Sequence, residues 1–216
     1  MQERCKIGVV IGNANSPHAV KIMKGIDQAS KECNVQLMYF MNVSSPYTAQ
    51  LYPPDTSIGW DYQKSAIERM QNGCILCGGV GSGKSRTALG YYYVQNGGDI
   101  DSDEYVPMDD NDVKDLYVIT TARKRDTKEW EADMIPFLLS TNKDVNLYSN
   151  KVIVDSWNNI KKYENIKNAF FIFDEQRVVG SGTWVKAFLK ITKDNEWILL
   201  SATPGDTWQD YIPVFI

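Results

Sequence analysis

Residues 78–85 read Gly-Gly-Val-Gly-Ser-Gly-Lys-Ser, and this stretch constrains the fold more than any other part of the chain. It satisfies the pattern GxxxxGK[ST], in which glycines let the backbone wrap closely around a phosphate and point its N–H groups at the oxygens. An apolar stretch (73–77) precedes it, and a helical pattern (84–94) follows it. A strand, a glycine loop (78–83) and a helix in this order predict a phosphate site within an α/β fold.

Short apolar segments alternate with amphipathic ones along the rest of the chain, which is typical of parallel strands that helices cover on both faces. We predict strands at 6–11, 35–41, 73–77, 116–120, 151–154, 169–173 and 197–200. We predict helices at 18–33, 62–71, 84–94, 157–163 and 184–191, and one more that begins near Thr127. Asp126 and Glu129 have the spacing of a capping box for that helix, Pro136 limits its far end, and Ser156 is placed to cap the helix at 157–163.

A segment rich in Pro, Ser and Thr (44–58) separates two parts of the chain. We predict a small βαβ appendage at 1–44, a linker at 45–58 and the main domain at 59–216. An orphan βαβ unit has unpaired strand edges, so the appendage could instead dock on the main sheet.

Lys84 and Ser85 close the glycine motif. Lysine at this position reaches the β- and γ-phosphates of a nucleotide, and the serine hydroxyl binds Mg²⁺. About 90 residues later an apolar strand ends in Asp174 and Glu175, which is where a magnesium-binding acid and a water-polarising acid are expected. We therefore predict ATP and Mg²⁺ as cofactors, Ser85 and Asp174 as metal ligands, and Lys84 and Glu175 as catalytic residues.

Cys74 and Cys77 have the CxxC spacing of a zinc or redox site. A second such pair is missing from the sequence, and His18 is its only histidine. Both cysteines lie in the apolar strand before the glycine loop, where cysteine serves as a small hydrophobic residue. We therefore interpret the pair as part of the core.

Five ordered motifs resemble the first RecA-like domain of superfamily 2 helicases, most closely the DEAD/DEAH-type and Snf2-like helicases of tailed phages. They are WDYQKSAIERM (60–70), GGVGSGKS (78–85), TTARKRDTKEW (120–130), FDEQ (173–176) and SATPG (201–205). The resemblance implies a RecA-like P-loop NTPase sheet sandwiched by helices. It extends from residue 59 to residue 216.

The same resemblance implies roles for further residues. Gln63 matches the glutamine that reads adenine, and the ATP-binding set becomes Gln63, Gly78, Gly79, Val80, Gly81, Ser82, Gly83, Lys84, Ser85 and Arg86. The residues that match nucleic-acid-binding positions are Thr120, Thr121 and Arg123. The segment that matches the coupling of hydrolysis to domain movement is Ser201, Ala202 and Thr203. Gln176 and Arg177 depart from the family pattern at the positions that make coupling contacts, and the two acids before them are retained.

Charge is unevenly distributed along the chain. The whole sequence has a formal net charge of −4, but residues 97–115 contain eight acids and one lysine. We interpret this acidic stretch as a solvated loop. The basic residues that follow the strand at 116–120 could meet the phosphates of a nucleic acid, although composition alone fits a solvated helix start equally well; they are Arg123, Lys124, Arg125 and Lys128.

Residues 7–40 resemble the opening βαβ unit of periplasmic-binding-protein-like sugar sensors of the lac-repressor type. In such sensors the loop after the first strand, here 13–17, lines the ligand site. This resemblance carries one alternative function, a fragment of a small-molecule sensor. A second alternative is a terminase-type packaging ATPase of a phage, which shares the glycine loop, the Asp-Glu pair and the coupling segment.

The sequence therefore predicts the ATP-binding and ATP-hydrolysing domain of a nucleic-acid-dependent helicase or translocase. We expect DNA rather than RNA as the nucleic-acid partner, and a second RecA-like domain, missing after the coupling segment, as the other half of the motor. The isolated chain should then hydrolyse ATP slowly. Since no apolar run approaches the length of a membrane span and no secretory signal is visible, we expect no membrane association and a location in the cytoplasm, or in the host cytoplasm for a phage protein.

Overall fold

A computed structural model describes residues 6–11, 36–41, 61–79, 81–102, 104–174 and 182–202. The predicted helix at 18–33 and the predicted linker lie outside these ranges. The same holds for Val80, Glu175, Gln176, Arg177 and Thr203.

One sheet of seven parallel strands forms the centre of the described structure, in the order β2-β1-β3-β7-β6-β4-β5. The strands are β1 Lys6–Ile11, β2 Gln36–Met41, β3 Cys74–Cys77, β4 Leu116–Thr120, β5 Val152–Ser156, β6 Phe170–Asp174 and β7 Glu196–Ser201. Each predicted strand is present, and each end lies within two residues of its predicted position. The apolar runs locate strands well because a parallel sheet buries both of its faces.

Helices cover both faces of the sheet. They are α1 Asp61–Arg69, α2 Lys84–Gln95, α3 Ala122–Asp126, α4 Glu129–Met134 and α5 Thr183–Asp194, with short 3-10 helices at Ile135–Phe137 and Trp157–Tyr163. Alternate strand residues point to opposite faces. One set packs with α1, α2 and α4 and the other with α5 and the 3-10 helix at Trp157–Tyr163, so the predicted α/β sandwich is confirmed.

The two cysteines of the CxxC pair lie on opposite faces of β3. Cys74 packs in the cluster under α2, and Cys77 packs in the cluster under α5. An odd separation within a strand requires this arrangement, because side chains alternate with a period of two. The two thiols therefore cannot bind one metal or form a disulfide together, and the interpretation of both cysteines as core residues is confirmed.

The helix predicted to begin near Thr127 is α4, which begins at Glu129, and a separate short helix, α3, precedes it. Asp126 is the last residue of α3 rather than an N-cap, so the predicted capping box is wrong. The break occurs at Lys128, which adopts a left-handed conformation with φ of 55°. This turn lets Trp130, 1% exposed, enter the core beside the sheet, and burial of an indole offsets the cost of the turn.

The 3-10 helix at Ile135–Phe137 contains Pro136, which agrees with the predicted limit of the helix before it. At Trp157–Tyr163 the predicted helix is also a 3-10 helix. Ser156 occupies its N-cap position, as predicted, but the serine side chain makes no capping hydrogen bond there. Its hydroxyl instead accepts a hydrogen bond from Arg125 Nη1 at 3.2 Å.

In the acidic stretch after α2, most carboxylates are exposed to solvent, and backbone carbonyls form hydrogen bonds to α2. Six of its carboxylates are exposed, as predicted for a solvated loop; they are Asp99, Asp101, Glu104, Asp109, Asp110 and Asp112. The hydroxyls of Tyr92 and Tyr93, on α2, donate to the carbonyls of Lys114 and Val106. The loop is thus solvated at its carboxylates and fixed at its main chain.

β1 extends the sheet next to β3, where Val9 pairs with Cys77. The described N-terminal strands therefore continue the main sheet, and the division of the chain into appendage, linker and main domain stays a prediction. Among the described helices, none has both the length and the apolar composition that a membrane crossing requires.

Candidate functional site

The carboxyl ends of β3, β7 and β6 meet at one edge of the sheet. Cys77, the last residue of β3, pairs with Ser201 of β7, and Asp174 of β6 pairs with Leu200. The backbone N–H of Gly78 donates to the Ser201 carbonyl at 3.1 Å, which ties the start of the glycine loop to β7. The loop and Asp174 therefore lie at the same edge, separated by one strand, which is where open parallel sheets bind ligands.

Glycine is required at several positions of the loop. Gly81 and Gly83 have φ angles of 76° and 74°, a left-handed conformation that side-chain-bearing residues rarely adopt. A Cβ atom at Gly78 would lie 2.5 Å from Ser82 Oγ, which is closer than atoms can approach. The loop thus curves tightly back on itself before α2 begins.

Lys84, the first residue of α2, folds back over the loop. Its Nζ donates to the carbonyls of Gly78 at 2.6 Å and Gly79 at 2.7 Å. Thr87 locks the same turn, since its hydroxyl and its N–H both donate to the Gly83 carbonyl. The ammonium is therefore held by backbone oxygens at the mouth of the loop.

A cleft of about 570 Å³ opens above this edge. It is lined by Gly81, Gly83, Lys84, Ser85, Arg86, Thr121, Arg123, Lys124, Glu129, Asp133, Asp174 and Ala202. Four of these side chains are basic and three are acidic. Burial raises the pKa of Asp133, and Arg86, 3.9 Å away, opposes that rise.

Asp174 is the most enclosed carboxylate of the cleft, at 1% exposure. Three donors converge on its Oδ2: Thr120 Oγ1 at 2.8 Å, Lys124 Nζ at 3.0 Å and Trp130 Nε1 at 3.3 Å. Among the residues that the structure describes, no side chain donates to Oδ1. The carboxylate is therefore anchored through one oxygen at the wall of a cleft.

The backbone around Asp174 is held as well. Trp157 Nε1 donates to the Asp174 carbonyl at 2.8 Å, from the opposite face of the sheet to Trp130. Two buried indoles thus donate hydrogen bonds to Asp174, Trp130 to its side chain and Trp157 to its main chain. Such fixed neighbours are what a ligand-positioning carboxylate needs.

The residues at this edge suit a magnesium nucleotide chemically. Ser85 and Asp174 offer oxygen ligands in the same cleft, and Mg²⁺ is typically bound through one or two protein oxygens, substrate phosphates and water. Ser82 Oγ is buried, and none of the described residues forms a hydrogen bond with it, which is costly unless a ligand supplies one. No group of three or more metal-binding side chains occurs in the described ranges.

The three residues predicted to contact nucleic acid differ in how accessible they are; they are Thr120, Thr121 and Arg123. Thr120 is fully buried and its hydroxyl bonds Asp174, so this side chain is not available to a nucleic acid. Thr121 caps α3 by accepting the Lys124 N–H at 3.2 Å. Thr121 and Arg123 line the cleft, and the Arg123 side chain is exposed there.

The other predicted site residues lie around the glycine loop. Gln63 is buried and its Nε2 donates to the Gly83 carbonyl at 3.3 Å, so the adenine-reading role stays a prediction. Ser201 is buried at the end of β7, and Ala202 lines the cleft. The roles predicted for Val80, Glu175 and Thr203 fall outside the described residues.

A second buried carboxylate, Asp155, lies at the end of β5. Its Oδ1 accepts from Ser156 N at 2.7 Å and Asn159 Nδ2 at 2.7 Å, and its Oδ2 accepts from Tyr163 Oη at 2.7 Å. Arg125 Nη1 adds a contact at 3.3 Å. Burial opposes ionisation here, but these hydrogen bonds outweigh it and lower the pKa of Asp155.

Sequence reasoning missed the pairing of Lys124 with Asp174 and both indole contacts. The basic run after β4 was recognised, but which of its members faces the acid depends on β4 and β6 being neighbours.

No protein-family model matches this chain, and no curated protein sequence is significantly similar to it.

Proposed function

We propose that this chain binds ATP with Mg²⁺ and hydrolyses it, as the RecA-like nucleotide-binding domain of a nucleic-acid-dependent helicase or translocase. The observation that carries the proposal is the meeting of the glycine loop, Lys84 and Asp174 in one cleft at the carboxyl edge of a parallel sheet. That combination is the chemistry of a phosphate site backed by a metal-positioning acid.

Each residue of the cleft has a part in this proposal. The loop N–H groups and the first turn of α2 bind phosphate oxygens, and Lys84 exchanges its two carbonyl partners for them. Ser85 and Asp174 hold Mg²⁺, whose charge neutralises phosphate oxygens when it is bound. Glu175, next to Asp174 in the sequence, polarises the attacking water.

The nucleic-acid part of the proposal comes from the motif resemblance and from the exposed Arg123 on the cleft wall. An exposed arginine beside a catalytic cleft can bind a phosphate backbone. Single-stranded DNA should therefore raise the rate of ATP hydrolysis.

The test is single-turnover release of phosphate by the wild type and by Glu175→Gln. Removing the water-polarising carboxylate should lower the rate by about 10²-fold or more while ATP affinity stays within about threefold, because the metal and phosphate contacts remain. Glu68→Gln is the matched control, since Glu68 is exposed on α1 and lies outside the cleft. A wild-type chain that releases no phosphate above the control without enzyme would refute the hydrolytic function.

A further inference from the structure

Trp184 is the largest of the apolar side chains that are exposed in the described residues, at 38%. It is the second residue of α5, the first described helix after β6, and therefore lies near the carboxyl edge of the sheet. Part of its indole packs against the buried Trp157, with ring centroids 6.3 Å apart. The rest of the ring is open to solvent.

The surface under Trp184 is fixed. Trp157 Nε1 donates to the Asp174 carbonyl at 2.8 Å, so the supporting indole is tied to the end of β6. The 3-10 helix at Trp157–Tyr163 packs against α5, and an ion pair between Lys190 and Glu164 at 2.7 Å links the two elements further along. A ring that is already positioned loses little conformational entropy when a flat ligand packs on it.

The 3-10 helix and α5 are strongly basic. Together they carry five lysines and one acid, all exposed; these are Lys161, Lys162, Lys186, Lys190, Lys193 and Asp194. Five positive charges and one negative charge give these two elements +4, whereas the whole chain has −4. Lys190 pairs with Glu164, and Lys162 lies 3.8 Å from Asp155. Exposed ion pairs of this kind contribute little free energy, so the surface still attracts a polyanion.

An exposed indole within a basic surface fits one class of ligand best. A single-stranded nucleic acid offers phosphates to lysines and unpaired bases to aromatic rings, and proteins that bind single strands combine these two features. A duplex offers the same phosphates, but its bases are stacked on one another and paired, so they cannot stack on a side chain. The combination therefore favours a single strand over a duplex.

We propose that Trp184 stacks on an unpaired base of a single-stranded nucleic acid, whose phosphates are bound by lysines of α5 and the 3-10 helix. This inference rests on the nucleic-acid part of the proposed function and names the strand form that the chain selects. Unlike Arg123, Trp184 is not among the described residues that line the cleft, so the two contacts are separate.

The test is fluorescence anisotropy with two labelled DNA strands of about 16 nucleotides, one of thymidines and one of abasic sites, which keeps the phosphates and lacks the bases. The wild type should bind the thymidine strand about tenfold more tightly, because stacking of one base contributes about that factor. Trp184→Leu should lose about tenfold for the thymidine strand and less than about twofold for the abasic strand. Trp184→Phe keeps an aromatic ring and should stay within about threefold for both.

The lysines should act on both strands alike. The double variant Lys161→Gln, Lys186→Gln should weaken both complexes and lower the slope of log affinity against log salt by about 0.7 for each lysine. Lys143→Gln is the control for the loss of a positive charge, since Lys143 is exposed in a turn outside these elements and outside the cleft. Leu147→Ala is the control for the loss of an exposed apolar side chain, since Leu147 is 56% exposed and lies in neither element.

Equal affinity of the wild type for the two strands would overturn the stacking, and this comparison needs no variant that could fail to fold. Equal losses for both strands in Trp184→Leu, or no loss for either, would overturn it as well and leave Trp184 as a packing residue of α5. A wild type that binds neither strand would also refute the nucleic-acid part of the proposed function. ATP hydrolysis is measured without DNA and is judged separately.

Discussion

Two neighbouring residues of α3 pair with two different buried acids, and the two acids have different surroundings. Lys124 pairs with Asp174 at the end of β6, and Arg125 pairs with Asp155 at the end of β5. Asp174 is the last residue of its strand and Asp155 the last but one, and both are at most 9% exposed. By charge, burial and position they would be judged alike.

Their hydrogen bonds distinguish them. Asp155 uses both oxygens, and most of its donors come from its own strand end and the 3-10 helix that follows. Asp174 uses one oxygen for side-chain donors and borders the cleft. A buried ion pair alone is thus weak evidence for function, whereas a carboxylate with bonding capacity left at a cleft wall is much stronger evidence.

We predict that removing the charge of Asp174 changes ATP binding and hydrolysis far more than it changes the stability of the fold. Asp174→Asn should abolish the dependence of ATP affinity on Mg²⁺ and lower hydrolysis by about 10²-fold or more. The free energy of unfolding should change by less than about 1 kcal/mol, because Asn keeps an acceptor oxygen for Thr120 and Trp130 and the Lys124 ammonium borders the water of the cleft. Calorimetry and urea denaturation measure the two effects.

That prediction fails if Asp174→Asn keeps metal-dependent binding, or if its main effect is a large loss of stability. Either result would make Asp174 a structural residue like Asp155.

The opposite pattern is expected at Asp155. Asp155→Asn should lower the free energy of unfolding by about 2 kcal/mol, because hydrogen bonds from Tyr163, Asn159 and Arg125 lose their charged acceptor. ATP affinity should stay within about twofold of the wild type. Asn159→Ala, which removes a single donor, should cost about 1 kcal/mol in the same denaturation experiment.

The effect of Asp155 on stability should depend on pH in a defined direction. Its pKa is lowered in the folded protein, so its stabilisation is present above the ordinary aspartate pKa of about 3.9 and is lost as pH falls through the folded value. The difference between wild type and Asp155→Asn should be largest near neutral pH and shrink below about pH 4. A difference that grows on acidification would contradict the hydrogen-bond account.

The sequence predicted the elements of the sheet and the residues of the glycine loop, because both depend on local patterns. Apolar runs locate the strands, and the spacing from Gly78 to Ser85 specifies the loop. The surroundings of Asp174 depend instead on strand order. β4 and β6 are separated by about 50 residues, and only their pairing brings Thr120 and Lys124 to the acid.

The predicted capping box shows where a local pattern misleads. Asp126 and Glu129 have the correct spacing, but burial of Trp130 beside Asp174 requires the chain to turn at Lys128. A tertiary contact therefore overrode the local preference. Thr120 is a second case in which a tertiary contact decides. Its hydroxyl donates a hydrogen bond to Asp174, 54 residues away, rather than to an external ligand.

The central claim is that the glycine loop and Lys84 form a nucleotide site, and ATP affinity of Lys84→Ala against wild type tests it most directly. Calorimetry in Mg²⁺ should show a loss of about 10²-fold for ATP and a much smaller loss for adenosine, because the ammonium contacts phosphates and not the nucleoside. Lys143→Ala should bind like the wild type. Equal ATP affinity for wild type and Lys84→Ala would contradict the claim.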